Sequence, residues 1–471
     1  MKEVFGWIET ANSVVGDFLW SPVMLSIFLS VGAYFTLRLG FFQFRRSRLW
    51  FSETIVKALR SRSERKIRDK NSISQFQAMT TALAACMGTG NIVGVATAIT
   101  LGGPGAIFWM WISAVLGMMT IYAENVLGIH FRYRGKTGEW VGGAMIYIER
   151  GLKSKPLAVA FAVFCLLGAL GVGNMTQANS ISTAMDASFS IPPYLTGLLI
   201  SGVAIVVILG GIQRIAVITE KLIPVISLLY LAAVLVVIFS NIGQIIPSVR
   251  TIFRSALSPV SAGSGALGYG VARAARYGVA RGVFSNEAGL GTSVAVHASA
   301  DVDSPVTQGL WGIFEVFVDT LVMCTLTGLA ILVSGVWSPN CGLDGGVLCA
   351  AAFETVFGRW GGYFISLSIL LFAFATMIGW SFYGEKCVKY LGGERIVPLY
   401  KILFAIIIFI GSVSRLEFVW ALSDTFNGLM AIPNLIAVCA LSGIVIKITK
   451  EYLNKKRPAA RRIRKRKTER E

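Results

Sequence analysis

Charged side chains are scarce in this sequence. They make up 14% of its 471 residues, against about 25% in soluble domains. So few ionic groups cannot coat a water-facing surface. Histidine occurs twice, and the seven cysteines follow no regular spacing. A zinc site and a disulfide framework are both excluded. The strings GxxxxGK[ST], HExxH, CxxC and GxSxG are absent. Walker-type ATP binding and the common hydrolase motifs therefore lack their residues, and no enzyme chemistry or cofactor is expected. Composition also rules out a disordered chain, a coiled coil and a soluble multidomain enzyme.

What is present is apolar. Hydrophobic residues reach 55% and the mean hydropathy is +0.67. Length alone would suggest about three soluble domains, but this composition points to an all-α polytopic membrane protein. Apolar runs place spans at 20–40, 73–101, 104–131, 157–187, 192–211, 217–240, 263–298, 305–335, 360–385, 397–413 and 427–448. Eleven crossings put the termini on opposite sides. Residues 1–19 are amphipathic and suit an interfacial helix. They lack a charged start followed directly by an apolar core and a small-residue cleavage site, so no removable signal peptide is expected.

The net charge of +18 is concentrated: Arg45–Lys70 carries ten Lys/Arg and Lys447–Arg470 twelve. No nucleic-acid motif accompanies these runs. They suit the cytoplasmic side, next to anionic lipid head groups. The loops at 41–72, 132–156 and 386–396 then fall inside and the N-terminus outside. Arg250, Arg254, Arg273, Arg276 and Arg281 land outside as exceptions, unless a helix buries the last three. Cys341 and Cys349 share a polar loop, Trp337 to Leu348, expected outside. A disulfide is expected there if that compartment is oxidising. The remaining cysteines read as small apolar fillers.

Two spans are too long and irregular to be simple helices. The first carries Gly88, Thr89, Gly90, Asn91 and Gly94 at mid-span; the second carries Ser285, Asn286, Glu287, Gly289 and Gly291. Irregular backbone at membrane depth is tolerated where it lines a cavity or is buried in protein. Freed carbonyls can replace the water shell of a cation, and a half-helix N-terminus suits a carboxylate. A lone GxG would read as close packing. A second break five spans later reads as a 5+5 inverted repeat after one leading helix, the plan of secondary transporters. The implied units are 1–72, a first repeat over 73–240, a second over 263–448, and a tail from 449 to 471.

Other mid-membrane groups fill in the picture. Glu287 could meet a substrate amino group, balance a cation, or accept from nearby amides. Thr376 and Trp380 are four apart and share a helix face, a hydroxyl beside an indole around a small ligand. Asn174 and Gln177 should point one way, towards a pocket or a neighbouring helix. Glu124, Glu315 and Asp319 are further embedded acids, and the last two, four apart, could form a proton relay. His130 and His297 read as structural.

The stretches GTGNIVGVATAITLGGPGAIFWMWISAVLGMMTIYAEN (88–125) and RYGVARGVFSNEAGLGTSVAVHA (276–298) resemble the alanine or glycine:cation symporter family. So do GNMTQANSI (173–181), QGLWGIFEVFVDTLVMCTLTGLAIL (308–332) and FAFATMIGWSFYGEK (372–386). The likeness runs from about residue 10 to about 445. It implies a leucine-transporter-type fold and sodium-coupled uptake of alanine or glycine by alternating access. It implies that Thr89 and Gly90 meet the substrate carboxylate. Gln177, Phe284, Asn286, Thr376, Gly379 and Trp380 would line the rest, with Trp380 as a cap against long side chains. Analogy with broken-helix sodium symporters adds Ala84, Cys86 and Met87 carbonyls and the Asn91 and Ser285 side chains as sodium ligands. The competing readings are proton coupling, a ligand-gated channel or sensor with the same pocket and, more remotely, a membrane-embedded hydrolase.

Overall fold

The computed structural model describes residues 2–60, 69, 71–136, 138–257 and 268–468. These are helical almost throughout. The named strands among them are β1 (Tyr133–Arg134) and β2 (Trp140–Val141), paired antiparallel. The leading helices are α1 (Lys2–Leu19) and α2 (Pro22–Arg38), joined at Ser21, whose hydroxyl accepts from the Met24 amide. After short helical turns within 42–60, α3 (Gln75–Cys86) begins with a capping box of Ser74 and Gln77 and continues after a break as α4 (Val93–Gly102). Then come α5 (Gly105–Phe131), α6 (Ala144–Gly151), α7 (Lys155–Leu170), α8 (Thr176–Phe189), α9 (Pro193–Leu209) and α10 (Gly211–Ser240). The amphipathic α11 (Ile245–Leu257) precedes α12 (Gly268–Asn286). The later helices are α13 (Pro305–Val316), α14 (Thr325–Val333), α15 (Gly345–Phe357), α16 (Arg359–Gly392), α17 (Val397–Val413), α18 (Leu416–Ala440) and α19 (Ser442–Thr468).

Wide π turns occur at Gly171–Met175, between α7 and α8, and at Phe317–Cys324, between α13 and α14. Each carries an extra residue per turn, a geometry often found at functional sites. The core is built by α5 packing against α12 and α13, with α16 against α7, α8 and α3. Small residues allow this closeness. A β-carbon on Gly361 would meet the α15 backbone at Phe353, 2.6 Å away, and one on Gly105 would meet α11 at Ala256, also at 2.6 Å.

Six helical stretches among the described residues are long and apolar enough to cross a membrane. Two bent pairs raise this to eight: α1 with α2 at 41°, and α18 with α19 at 57°. Of the expected spans, 192–211 is the short apolar helix α9. The spans at 73–101 and 263–298 are the broken ones; neither half of the first is long, and the second carries three arginines. The expected single span at 427–448 is in fact two helices meeting at Leu441.

The expected disulfide needs correction. Cys341 and Cys349 are both free thiols. Asp344 caps α15, so Cys349 sits buried on that helix, against Tyr230, not in the loop. The loop expectation failed because the apolar stretch of α15 is too short to announce a helix. Arg250 and Arg254 lie on the exposed face of α11, whose Ser248, Ile252 and Ala256 are buried at intervals of four. The basic stretch 45–70 lies partly outside the described residues, at 61–68 and 70, as does the start of the 263–298 span.

The predicted inside loops do meet at one end. Arg134 pairs with Asp69 at 2.5 Å, and Lys389 with Glu139 at 2.7 Å. Arg132 donates to the carbonyls of Ala298, Ala300 and Val302.

Candidate functional site

The first break spans Met87–Ile92, with a 3-10 turn at Thr89–Asn91. A β-carbon on Gly88 would overlap the Thr376 hydroxyl and stand 2.8 Å from Gln177 Oε1. The Thr89 amide donates to Gln177 Oε1 at 3.1 Å. Thr376 Oγ1 donates to the Ala84 carbonyl at 2.8 Å, and the Trp380 indole to the Ala85 carbonyl at 3.3 Å. Gly379 lets α16 lie against Ala85, and Gly173 makes room for the Trp380 ring. The break is thus held between α8 and α16.

The second break follows Asn286. Glu287 is left-handed at φ 57°, with Gly289 at 93° and Gly291 at 71°. Asn286 accepts from the Ala288 amide at 3.0 Å and donates to Thr320 at 3.1 Å. Thr292 donates to the Glu287 carboxylate at 2.5 Å. Asn434 donates to the Gly289 carbonyl at 2.8 Å and to Glu124 at 2.5 Å, while Tyr147 donates to Asn434. This second break therefore satisfies its own polar groups.

The two breaks touch. A β-carbon on Gly90 would lie 3.2 Å from Ser285 Cα. Beside that contact sits Asp319, on the second π turn. Its carboxylate accepts from Asn91 Nδ2 at 2.8 Å, Ser285 Oγ at 2.9 Å and Thr320 Oγ1 at 2.7 Å. Two buried atoms of the first break, Thr89 Oγ1 and Asn91 Oδ1, have no hydrogen-bond partner.

The structure thus gathers Thr89, Gly90, Gln177, Ser285, Thr376, Gly379 and Trp380 around the first break, while Asn286 turns to Ala288 and Thr320 at the second. Phe284, one residue before Ser285 on α12, is stacked on Trp420 with ring centroids 5.2 Å apart. Arg281 lies over Trp420 and bonds Asp424 through both terminal nitrogens, at 2.9 and 2.8 Å. The arginine that stood out as an exception to the charge pattern is therefore buried and paired. Arg276 pairs with Asp17. The carbonyls of Ala84 and Cys86 already accept from Thr376 and Gly88.

Other expectations separate. Asn174 and Gln177 do not act together: Asn174 donates to the Phe404 carbonyl on α17, while Gln177 reaches the break. The π turn at Gly171–Met175 changes the register assumed for a regular helix. Glu315 and Asp319 likewise take different partners. Glu315 accepts from Cys86 at 3.1 Å and meets His297 at 3.0 Å, away from the Asp319 cluster. The sequence suggests a proton relay for Asp319 and does not single it out as a cation ligand. Its partners lie up to 228 positions away, so the sequence offered no more than an acid inside a span.

A sequence model of the sodium:alanine symporter family matches residues 6–466. The chain belongs to the sodium:alanine symporter family. Among members of this family, the sodium/alanine symporter AgcS of Methanococcus maripaludis is 44% identical over 449 residues, covering 93% of this chain and 96% of that protein. The probable sodium/glutamine symporter GlnT of Bacillus subtilis is 39% identical, covering 96% of this chain and 92% of that one. Among solved structures, MhsT with L-phenylalanine superposes with a TM-score of 0.58 at 13% identity, over 81% of this chain and 98% of that chain. This last likeness concerns the fold alone. The chain is an integral membrane secondary transporter of the leucine-transporter type, not an enzyme.

Proposed function

We propose that this transporter carries a small neutral amino acid, alanine in L or D form or glycine, together with sodium. The observation that carries the reading is the pair of unpartnered atoms at the first break, Thr89 Oγ1 and Asn91 Oδ1, next to the Asp319 carboxylate. An unsatisfied buried polar group costs about 1–3 kcal/mol, which a bound ligand would relieve. In this reading Thr89 and the Gly90 amide take the substrate carboxylate. Gln177, Phe284, Asn286, Thr376, Gly379 and Trp380 enclose the remainder. Sodium is held by Asn91 Oδ1, Ser285 Oγ and Asp319, with carbonyls at Ala84, Cys86 and Met87 completing the shell. One carboxylate balances one cation, and oxygen ligands suit a hard ion. The names of AgcS and GlnT support sodium and an amino acid; the close packing of the Trp380 ring on Gly173 favours alanine over glutamine.

Sodium binding at the joint of the two breaks favours the state open to substrate, and substrate binding then favours closure. Coupling is the difference in affinity between those states. The basic end, where Arg134 meets Asp69, faces the cytoplasm of an inner membrane, with the N-terminus outside. The basic tail meets anionic head groups there.

The test is uptake of labelled alanine by proteoliposomes under an inward sodium gradient, with potassium and proton gradients as controls. Accumulation with sodium alone is expected. Accumulation with a proton gradient alone would move coupling to a buried acid, and the His297–Glu315 pair gives that second reading its observation. Binding without accumulation would favour a sensor or channel. Trp380→Ala should admit larger amino acids or lose alanine uptake; unchanged selectivity would remove the capping role.

A further inference from the structure

A polar cavity of about 260 Å³ lies at the basic end, lined by Ser72, Trp140, Gln213, Phe382, Lys386 and Lys389 among others. Its volume would hold about eight waters, or a small amino acid with a few of them. One wall is the helix that encloses the central site. Gly379, Phe382, Lys386 and Lys389 follow one another at steps of three and four, and so form one face of α16. Lys386 lies seven residues beyond Gly379, about 10 Å along the axis.

The charges around the cavity are unevenly matched. Lys389 pairs with Glu139 at 2.7 Å and Glu394 at 3.0 Å. Glu385 pairs with Lys401 at 3.0 Å. Lys386 has no ion pair among the described residues. Its ammonium donates to the Trp140 carbonyl at 3.2 Å and lies 5.1 Å from the centre of the Phe382 ring. An ammonium has three donors, and the Trp140 carbonyl takes one, so an anionic oxygen entering the cavity would meet donors to spare.

We propose that this cavity is a second, transient amino-acid site on the release route, in which Lys386 receives the α-carboxylate of substrate leaving the central pocket. The proposal rests on the transport reading above. Carboxylate capture next to the closed pocket lets the departing zwitterion trade one set of donors for another before it meets bulk water. The same site, filled from the cytoplasm, starts exchange in the reverse direction.

The experiment is alanine exchange in oriented, sodium-loaded proteoliposomes, with half-saturation measured separately for internal and external alanine. Lys386→Met should raise internal half-saturation about tenfold, as loss of a charge-assisted hydrogen bond would, while the external value moves less than twofold. Lys386→Arg should restore most of the internal affinity. Gln213→Glu, at an exposed position on the cavity rim, tests the same charge without touching the lysine and should raise the internal value several-fold. An internal value unmoved in Lys386→Met and Gln213→Glu would overturn the proposal. So would equal shifts on both sides, which would place Lys386 in the closing contact with Trp140 alone. Wild-type protein that carries no alanine under any gradient would overturn the central-site reading as well, a distinct result.

Discussion

The two helix breaks have the same cause and opposite consequences. Each interrupts a membrane helix at glycines and frees backbone groups that lipid cannot satisfy. At the second break the protein supplies the partners itself: Asn286 turns back on Ala288, Thr292 reaches Glu287, and Asn434 reaches Gly289. At the first break Thr89 Oγ1 and Asn91 Oδ1 are left without partners. One break is braced; the other keeps two unpartnered oxygens, where the proposed reading seats the ligand. A broken helix in a sequence therefore marks a region, and the hydrogen-bond accounting separates its two sides.

Substitutions can test that contrast. The largest effect is expected from Asp319→Asn, which keeps the shape and removes the charge where both breaks meet. Half-saturating sodium should rise about a hundredfold or uptake should vanish, since hydrogen bonds to charged groups are worth about 1.5–3 kcal/mol each. A sodium titration of uptake measures it, and an unchanged value would put the cation elsewhere. Next is Gly88→Ala, whose new methyl would occupy the position of the Thr376 hydroxyl. Overpacking costs about 1–3 kcal/mol, and alanine uptake should fall at least tenfold while sodium binding is less affected. Asn434→Leu strikes the braced break. It should lower the unfolding temperature in detergent by several degrees, through about 1–3 kcal/mol for stranded partners, and leave half-saturating sodium within twofold. A large sodium effect there would erase the distinction between the breaks.

The smallest effect belongs at the basic end. Asp69 is half-buried, and the Asn71 amide, the Ser72 hydroxyl and Arg134 hold its carboxyl below the usual value of 3.8. A depressed folded-state value means stability that is present above the unfolded value and lost as pH falls through the folded one. Asp69→Asn should therefore flatten a slight acid sensitivity below about pH 4, seen in thermal melts, and leave uptake near neutral pH unchanged.

Much of this was legible in the chain. Gly88 to Asn91 stands out because glycines and polar groups are costly in mid-span, and Thr376 with Trp380 because a regular helix carries them on one face. Arg281 was visible as a charge on the wrong side, but its partner Asp424 is 143 positions away. α11 and α15 escaped notice because one is amphipathic and the other short. Asn174 with Gln177, and Glu315 with Asp319, were misaligned by assuming 3.6 residues per turn where the backbone is wider.

That last point has a consequence for chain length. Across Phe317–Cys324 the wide turn holds Asp319 towards Asn91 and Ser285. Deleting one residue downstream of Asp319, or restoring a regular helix there, would rotate one half against the other by about 100°. The composition, the apolar faces and the predicted span would all survive. The carboxylate and the surface of α14 would no longer face their partners together, so the number of residues in this turn matters as much as their identity.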